Sequence, residues 1–298
     1  MKSIVILYVF CITIQTVQGQ QTEKLAKTNH SSLTVYYSKG FDERANLIAS
    51  RTEKALLYHK KLLGFEPKVT LLVLSKNDWA RFTDFPVYGM PHYNNKQTLI
   101  VAAEDNDFWK GFLPPLEQLP PDFRNAVEKV YKNKDNQISM ESFFDLLALH
   151  ELGHAFHEQG QLTMQRKWMG ELFCNILLHT YIAENEPKQL PALTLFPKMV
   201  IAGGIKGFKY TSLKELEERY DEIGQQYARN YGWYQCRWHK AAGDIYDAAG
   251  KSVCYTIWNT LLEQKQLLRD EELILFLDGK GLSTIADMMR FWERDMIK

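Results

Sequence analysis

The chain has 298 residues, 45% of them apolar and 24% charged. That is enough chain for one large domain or two modest ones, and it excludes a mostly disordered chain, a collagen-like chain and a protein of many membrane spans. Thirty-six basic residues balance 36 acidic ones, so the basic excess of nucleic-acid binders is missing and no nucleic-acid partner is expected.

Residues 1–19 read as a signal peptide. Lys2 is a short basic start, Ile4 to Ile14 an apolar run too short to span a bilayer comfortably, and Val17 and Gly19 a small-residue cleavage site. An exported protein is expected, secreted or periplasmic, without stable membrane insertion. Removal of this leader takes Cys11 with it and leaves Cys174, Cys236 and Cys254, too few for a disulfide framework. Cys236 lies fourteen residues before Gly250 and Cys254 four after it, so a hairpin turning there does not pair them.

The β-rich Leu33–Tyr37 predicts a first strand. From Asp42 to Leu63 apolar residues recur at helical spacing, with Gly64 as the stop. Val69–Leu74 predicts a buried strand, and Gln97–Ala103 a further one reached through a turn at Gly89–Pro91. Residues 104–138, with Pro114-Pro115 and Pro120-Pro121, read as a long irregular connection. Asp135–Ile138 faintly resembles a calcium loop. Aligning Ile138 to the hydrophobic loop position puts Tyr131 and Ser142 where acidic ligands belong, so that reading is rejected.

From Ser139 the pattern is helical, over about 140–158, 165–184, 211–249, 252–268 and 283–297. The expected class is α+β, a mixed N-terminal sheet with helices and a mainly α-helical C-terminal lobe. Pro187, Pro191, Pro197 and Gly203-Gly204 place the boundary between lobes near 185–210, giving lobes of 20–185 and 186–298.

His150-Glu151-Leu152-Gly153-His154 carries the chemistry. On a helix, residues four apart differ by about 40° in direction, so both imidazoles leave one face, a geometry that suits two nitrogen ligands on zinc. Glu151 stands about 100° round the helix, where a general base for water belongs rather than a ligand. The flanking Phe143, Leu146, Leu147, Leu149, Leu152, Ala155 and Phe156 make the helix apolar nearly all round, and buried imidazoles need partners.

Gly160 is a helix stop, and the next helix begins near Gln165 or Arg166. His154 lies six residues before the turn and Glu171 about six into the returning helix. At about 1.5 Å per residue an antiparallel hairpin sets the two level. Glu171 is therefore the expected third ligand. Asn175, four residues on, either hydrogen-bonds a ligand imidazole or points to solvent. Cys174 is a softer donor nearer the packed face and reads as core. His157 reads as a support for the site or a core residue, with a fourth nitrogen as the alternative.

His150-Glu151-x-x-His154 followed by Glu171 resembles the gluzincin zinc metallopeptidases, the thermolysin-like and aminopeptidase-like group. Trp168-x-x-Glu171-x-Phe173 looks like the third-ligand helix of the aminopeptidases. The likeness covers about 26 residues, 150 to 175. It implies a zincin-like architecture and one zinc per chain, held by His150, His154 and Glu171. It also implies Glu151 as base, a peptide or protein substrate, endopeptidase activity, and Gln97–Ala103 as the sheet edge on which substrate lies. An oxyanion donor is implied from the second lobe. Tyr227, Tyr231, Tyr234 and His239 are available, and Tyr234 is the choice, against an aromatic stripe that merely packs the helix.

The departures also inform. Gly89-Met90-Pro91-His92-Tyr93-Asn94-Asn95 lacks the acid of the aminopeptidase Gly-x-Met-Glu-Asn motif, so aminopeptidase activity is not supported. His157 and Gly160 stand where metzincins need Gly and a third ligand. The alternatives to a peptidase are a zincin-like binding or scaffold module without turnover, and a structural zinc site closed by His157 or Cys174.

Overall fold

The computed structural model describes residues 24–94 and 96–294; the signal-peptide expectation at 1–19 lies outside them. It is an α+β fold. Strands β1 (Ala26–Asn29), β2 (Thr34–Tyr37), β3 (Thr70–Leu74), β4 (His92–Asn94) and β5 (Thr98–Ala102) form one mixed sheet in the order β1-β2-β3-β5-β4. β2, β3 and β5 run parallel; β1 and β4 lie antiparallel on the two edges. Every residue of β5 is buried, and in β3 only Thr70 is not, as suits interior strands covered on both faces.

Thirteen helices follow among the described residues. The first half contributes α1 (Asp42–Leu63), α2 (Lys76–Phe82), α3 (Asp107–Lys110), α4 (Pro121–Tyr131), α5 (Glu141–Gln159) and α6 (Lys167–Asn185). The second contributes α7 (Leu190–Ala202), α8 (Leu213–Glu218), α9 (Tyr220–Gln226), α10 (Ala228–Ala249), α11 (Ser252–Glu263), α12 (Asp270–Gly279) and α13 (Ser283–Phe291). None of them is long and apolar enough to cross a membrane.

α1 forms where its periodicity predicts. Ala45, Ile48, Ala49, Thr52, Ala55, Leu56, His59 and Leu63 make its buried face, and Gly64 ends it at φ +71°. Arg44 on this helix makes a two-pronged ion pair with Asp145 and so ties α1 to α5.

α5 and α6 form an antiparallel hairpin. As the chain runs up α6 through Gly170, Glu171, Cys174 and Asn175, its neighbours on α5 step back through His157, His150 and His154, Gly153 and His150. The helices come close at Gly153, where an added Cβ would stand 2.9 Å from both Cα and Cβ of Cys174. Only glycine admits the neighbouring backbone there.

Several expectations are corrected. Residues 104–138 are not irregular throughout: α4 begins with Pro121 in its first turn, where the missing N–H costs nothing. Residues 185–210 are not a bare connection: they contain α7, which has Pro191 in its first turn, keeps Pro197 inside, and packs against α4, α5 and α10. The buried side chains from Leu25 to Trp292 join in one continuous cluster. The expected helix over 211–249 breaks at Arg219 (φ −124°) and Tyr227 (φ −129°) into α8, α9 and α10. The helix expected to reach 268 ends at Glu263, and α12 follows, with Glu272 accepting both the backbone N–H and a guanidinium N–H of Arg269. The sheet edge next to α5 is β4, since β5 is paired on both sides.

Candidate metal centre

His150 and His154 leave one face of α5, and Glu171 meets them from α6. His150 Nε2 lies 3.1 Å from Glu171 Oε2 and His154 Nε2 lies 3.8 Å from the same oxygen. Bonds of about 2.0–2.1 Å around a tetrahedral zinc set its donors about 3.3 Å apart, and the two separations bracket that value.

The remaining ring nitrogens are held. His150 Nδ1 faces Asn175 Oδ1 at 3.2 Å. The amide of Asn175 has one orientation, because its Nδ2 donates to the backbone carbonyl of Glu171 at 3.0 Å. His150 thus stands between two acceptors, an amide oxygen and a carboxylate. Both are satisfied only when a cation, proton or metal, sits at Nε2. Asn175 is fully buried, so it is the orienting partner and not a solvent amide. His154 Nδ1 lies 2.9 Å from His157 Nε2. With the proton on His154 Nδ1, its Nε2 lone pair faces Glu171.

Charge and burial divide these groups. Burial would raise the Glu171 carboxyl, but His154, His150 and Gln235 together hold it well below the usual carboxylate range. Burial pushes His154 down to about 4, against the pull of Glu171. It pushes His157 down to about 3, helped by His154. His150 is the exception: burial pulls it down, yet the hydrogen bond its ring gives to Glu171 and the charges of Glu151 and Glu171 leave it raised. The site therefore presents an anionic carboxylate, a His154 imidazole held neutral, and a His150 imidazole whose charged form is favoured and whose Nε2 proton a metal would have to displace.

Cys174 also lies near. Its Sγ and one ligand nitrogen each from His150 and His154 fall within 4.8 Å of one another. That bound is too loose to choose a donor. The thiol is fully buried against Gly153, and burial raises it well above its ordinary range. Glu171 is the other candidate third donor: burial notwithstanding, its neighbours favour its ionised form, and its Oε2 lies 3.1 and 3.8 Å from the two Nε2 atoms. Cys236 and Cys254 are likewise free and buried.

Glu151 does not join the three. Its Oε2 accepts the backbone N–H of Tyr93, on edge strand β4, at 3.0 Å. Burial first, then the neighbouring Glu171, raises its carboxyl to about 7, against His150 and the Tyr93 N–H. A carboxyl poised there exchanges protons near neutral pH.

Tyr234 is not brought to the site. Its hydroxyl donates to the Ser212 carbonyl at 2.9 Å, and its ring stacks on Trp292 at 6.0 Å. The face of α10 that meets Glu171 is set by Tyr231 and Gln235 instead. Gln235 Nε2 lies 2.9 Å from Glu171 Oε2, and Tyr220 of α9 donates to Glu171 Oε1 at 2.8 Å. Of the other candidates, Tyr227 accepts from Lys209 Nζ and His239 packs its ring beside His150. The sequence signal for Tyr231 and Gln235 is their i, i+4 spacing. Tyr220 and the Tyr93 N–H carry no local signal.

No family model, curated protein or solved structure matches this chain.

Proposed function

We propose that this chain is an exported zinc-dependent peptidase of gluzincin type, with a zincin-like fold, acting on a peptide or protein substrate. One observation carries the reading: two imidazole Nε2 atoms from α5 converge on a single carboxylate oxygen from α6, while the intervening Glu151 is turned away onto the sheet edge. His150, His154 and Glu171 would hold the ion. Zinc bound there supplies Lewis acidity toward a carbonyl and toward water.

The protein's own groups do the rest. Asn175 and His157 fix the two rings. The Tyr93 N–H anchors one oxygen of Glu151, and the other is left to take a proton from the attacking water and pass it to the leaving amine. An extended peptide adds to a sheet edge through main-chain hydrogen bonds, and β4 is the edge beside α5.

Digestion of a peptide library, with and without chelator, tests the reading. Wild type is expected to cleave, chelator to stop it, and Glu151→Gln to keep zinc while losing cleavage. Cleavage that survives both chelator and substitution contradicts it.

A second reading, a zincin-like binding or scaffold module without turnover, has one observation in its favour. The hydroxyls of Tyr220, Tyr231 and Tyr234 are all engaged within the fold, so none of the three stands free to donate to an oxyanion. Zinc bound by wild type without cleavage of any peptide would favour it.

A further inference from the structure

Resting on the assignment of Glu171 as a metal ligand, we propose that Tyr220, Tyr231 and Gln235 are positioning residues. They clamp Glu171 as a one-oxygen ligand and thereby set the affinity and coordination geometry of the centre.

The hydrogen bonds close a ring in which two donor paths leave Gln235 and both end on the Glu171 carboxylate. A carboxylate only accepts, so Tyr220 gives its proton to Glu171 Oε1 at 2.8 Å. The contact between the Tyr220 and Tyr231 hydroxyls, 3.1 Å, must then be donated by Tyr231. Tyr231 in turn accepts from Gln235 Nε2 at 2.9 Å. The second N–H of Gln235 goes to Glu171 Oε2, also at 2.9 Å. The carboxylate fixes which end of the Gln235 amide faces it, so no member of the ring can be turned round without losing a bond.

The two carboxylate oxygens are left unequal. Oε1 is capped by a tyrosine hydroxyl. Oε2 spends one lone pair on Gln235 and turns the rest toward His150 and His154. A carboxylate held in this way offers a metal one oxygen. Zinc accepts such a ligand in a four-coordinate site, whereas calcium and magnesium require more oxygen donors. Hydrogen bonds to a charged carboxylate are also the stronger kind, so the clamp resists rotation of Glu171.

All three residues come from α9 and α10, in the second half of the chain. The break at Arg219 lets Tyr220 open a new helix directed at Glu171. The centre is therefore incomplete without the segment 220–235, although its ligands all lie between 150 and 171.

The test uses the full chain. Zinc affinity is measured by chelator competition, and the visible spectrum is recorded after cobalt(II) substitution. The proteins are wild type, Tyr220→Phe, Tyr231→Phe, Gln235→Leu and, as a control on α10, Tyr246→Phe. The Tyr246 hydroxyl bonds Glu184 at the surface. Thermal unfolding of the zinc-free proteins monitors the fold.

Tyr220→Phe and Gln235→Leu are expected to weaken zinc on the order of 10- to 100-fold. They should also reduce the intensity of the cobalt bands as Glu171 swings to two-oxygen coordination. Tyr231→Phe should lose less, and Tyr246→Phe should match wild type. Unchanged affinity and spectrum in Tyr220→Phe and Gln235→Leu overturn the clamp alone. A wild type that binds neither metal overturns the clamp and the metal assignment together.

Discussion

Oε2 of Glu171 lies 3.1 Å from Nε2 of His150, while Nδ1 of the same imidazole meets the Asn175 amide oxygen. A buried ring with acceptors on both sides calls for a cation at Nε2. A metal answers that need without the imidazole having to carry a second proton.

Metal should therefore stabilise the fold. Zinc at 100 times its Kd adds about 2.7 kcal/mol to a protein that binds it only when folded. Thermal unfolding with zinc and with a strong chelator checks this. The Tm should fall by several degrees on chelation and recover when zinc is restored, with no recovery in Glu171→Ala.

Gly153 sets the spacing of the metal hairpin. Gly153→Ala would push a methyl into Cys174 backbone that cannot yield, an overpacking that costs about 1–3 kcal/mol. Denaturant unfolding should show the loss, with weaker zinc binding alongside. Adding Cys174→Ala should restore only part of it, because Cα and Cβ of residue 174 remain in the way.

His59 lies far down α1 from its helix start, among Tyr58, Phe156 and Tyr181, and its Nδ1 has no partner. Burial pushes it down to about 3. The unfolded chain takes up this proton near pH 6.5, while the folded chain does so only near 3. Unfolded protein then binds more protons across that window, so stability falls as pH drops, by up to about 1.4 kcal/mol per unit for this one group. Urea titrations of the zinc-free protein from pH 7 to 4 should show a shallower slope in His59→Leu than in wild type. Equal slopes contradict the assignment.

Much of the site is legible because its determinants are local. Four-residue spacing sets His150 and His154 on one face, and hairpin arithmetic through Gly160 brings Glu171 level with them. The same holds for α1, whose apolar period and terminal Gly64 are both local signals. What depends on distant packing is not legible. β1 and β4 are three or four residues long and exist through their pairing, so neither announces itself by alternation. Pro121 and Pro191 read as loop markers, yet both stand in the first turn of a helix. Tyr234 is held elsewhere, its ring stacked on Trp292, which arrives from the far end of the chain and gives no local signal. Tyr220 reaches Glu171 only because the helix breaks at Arg219, and nothing in the neighbouring residues marks that break.

The central claim, one zinc held by His150, His154 and Glu171, is tested most directly by zinc-edge X-ray absorption on the purified full chain. The account predicts one zinc per chain with only nitrogen and oxygen donors at about 2.0–2.1 Å. A sulfur donor at about 2.3 Å, placing Cys174 on the metal, or a protein that holds no zinc, would contradict it.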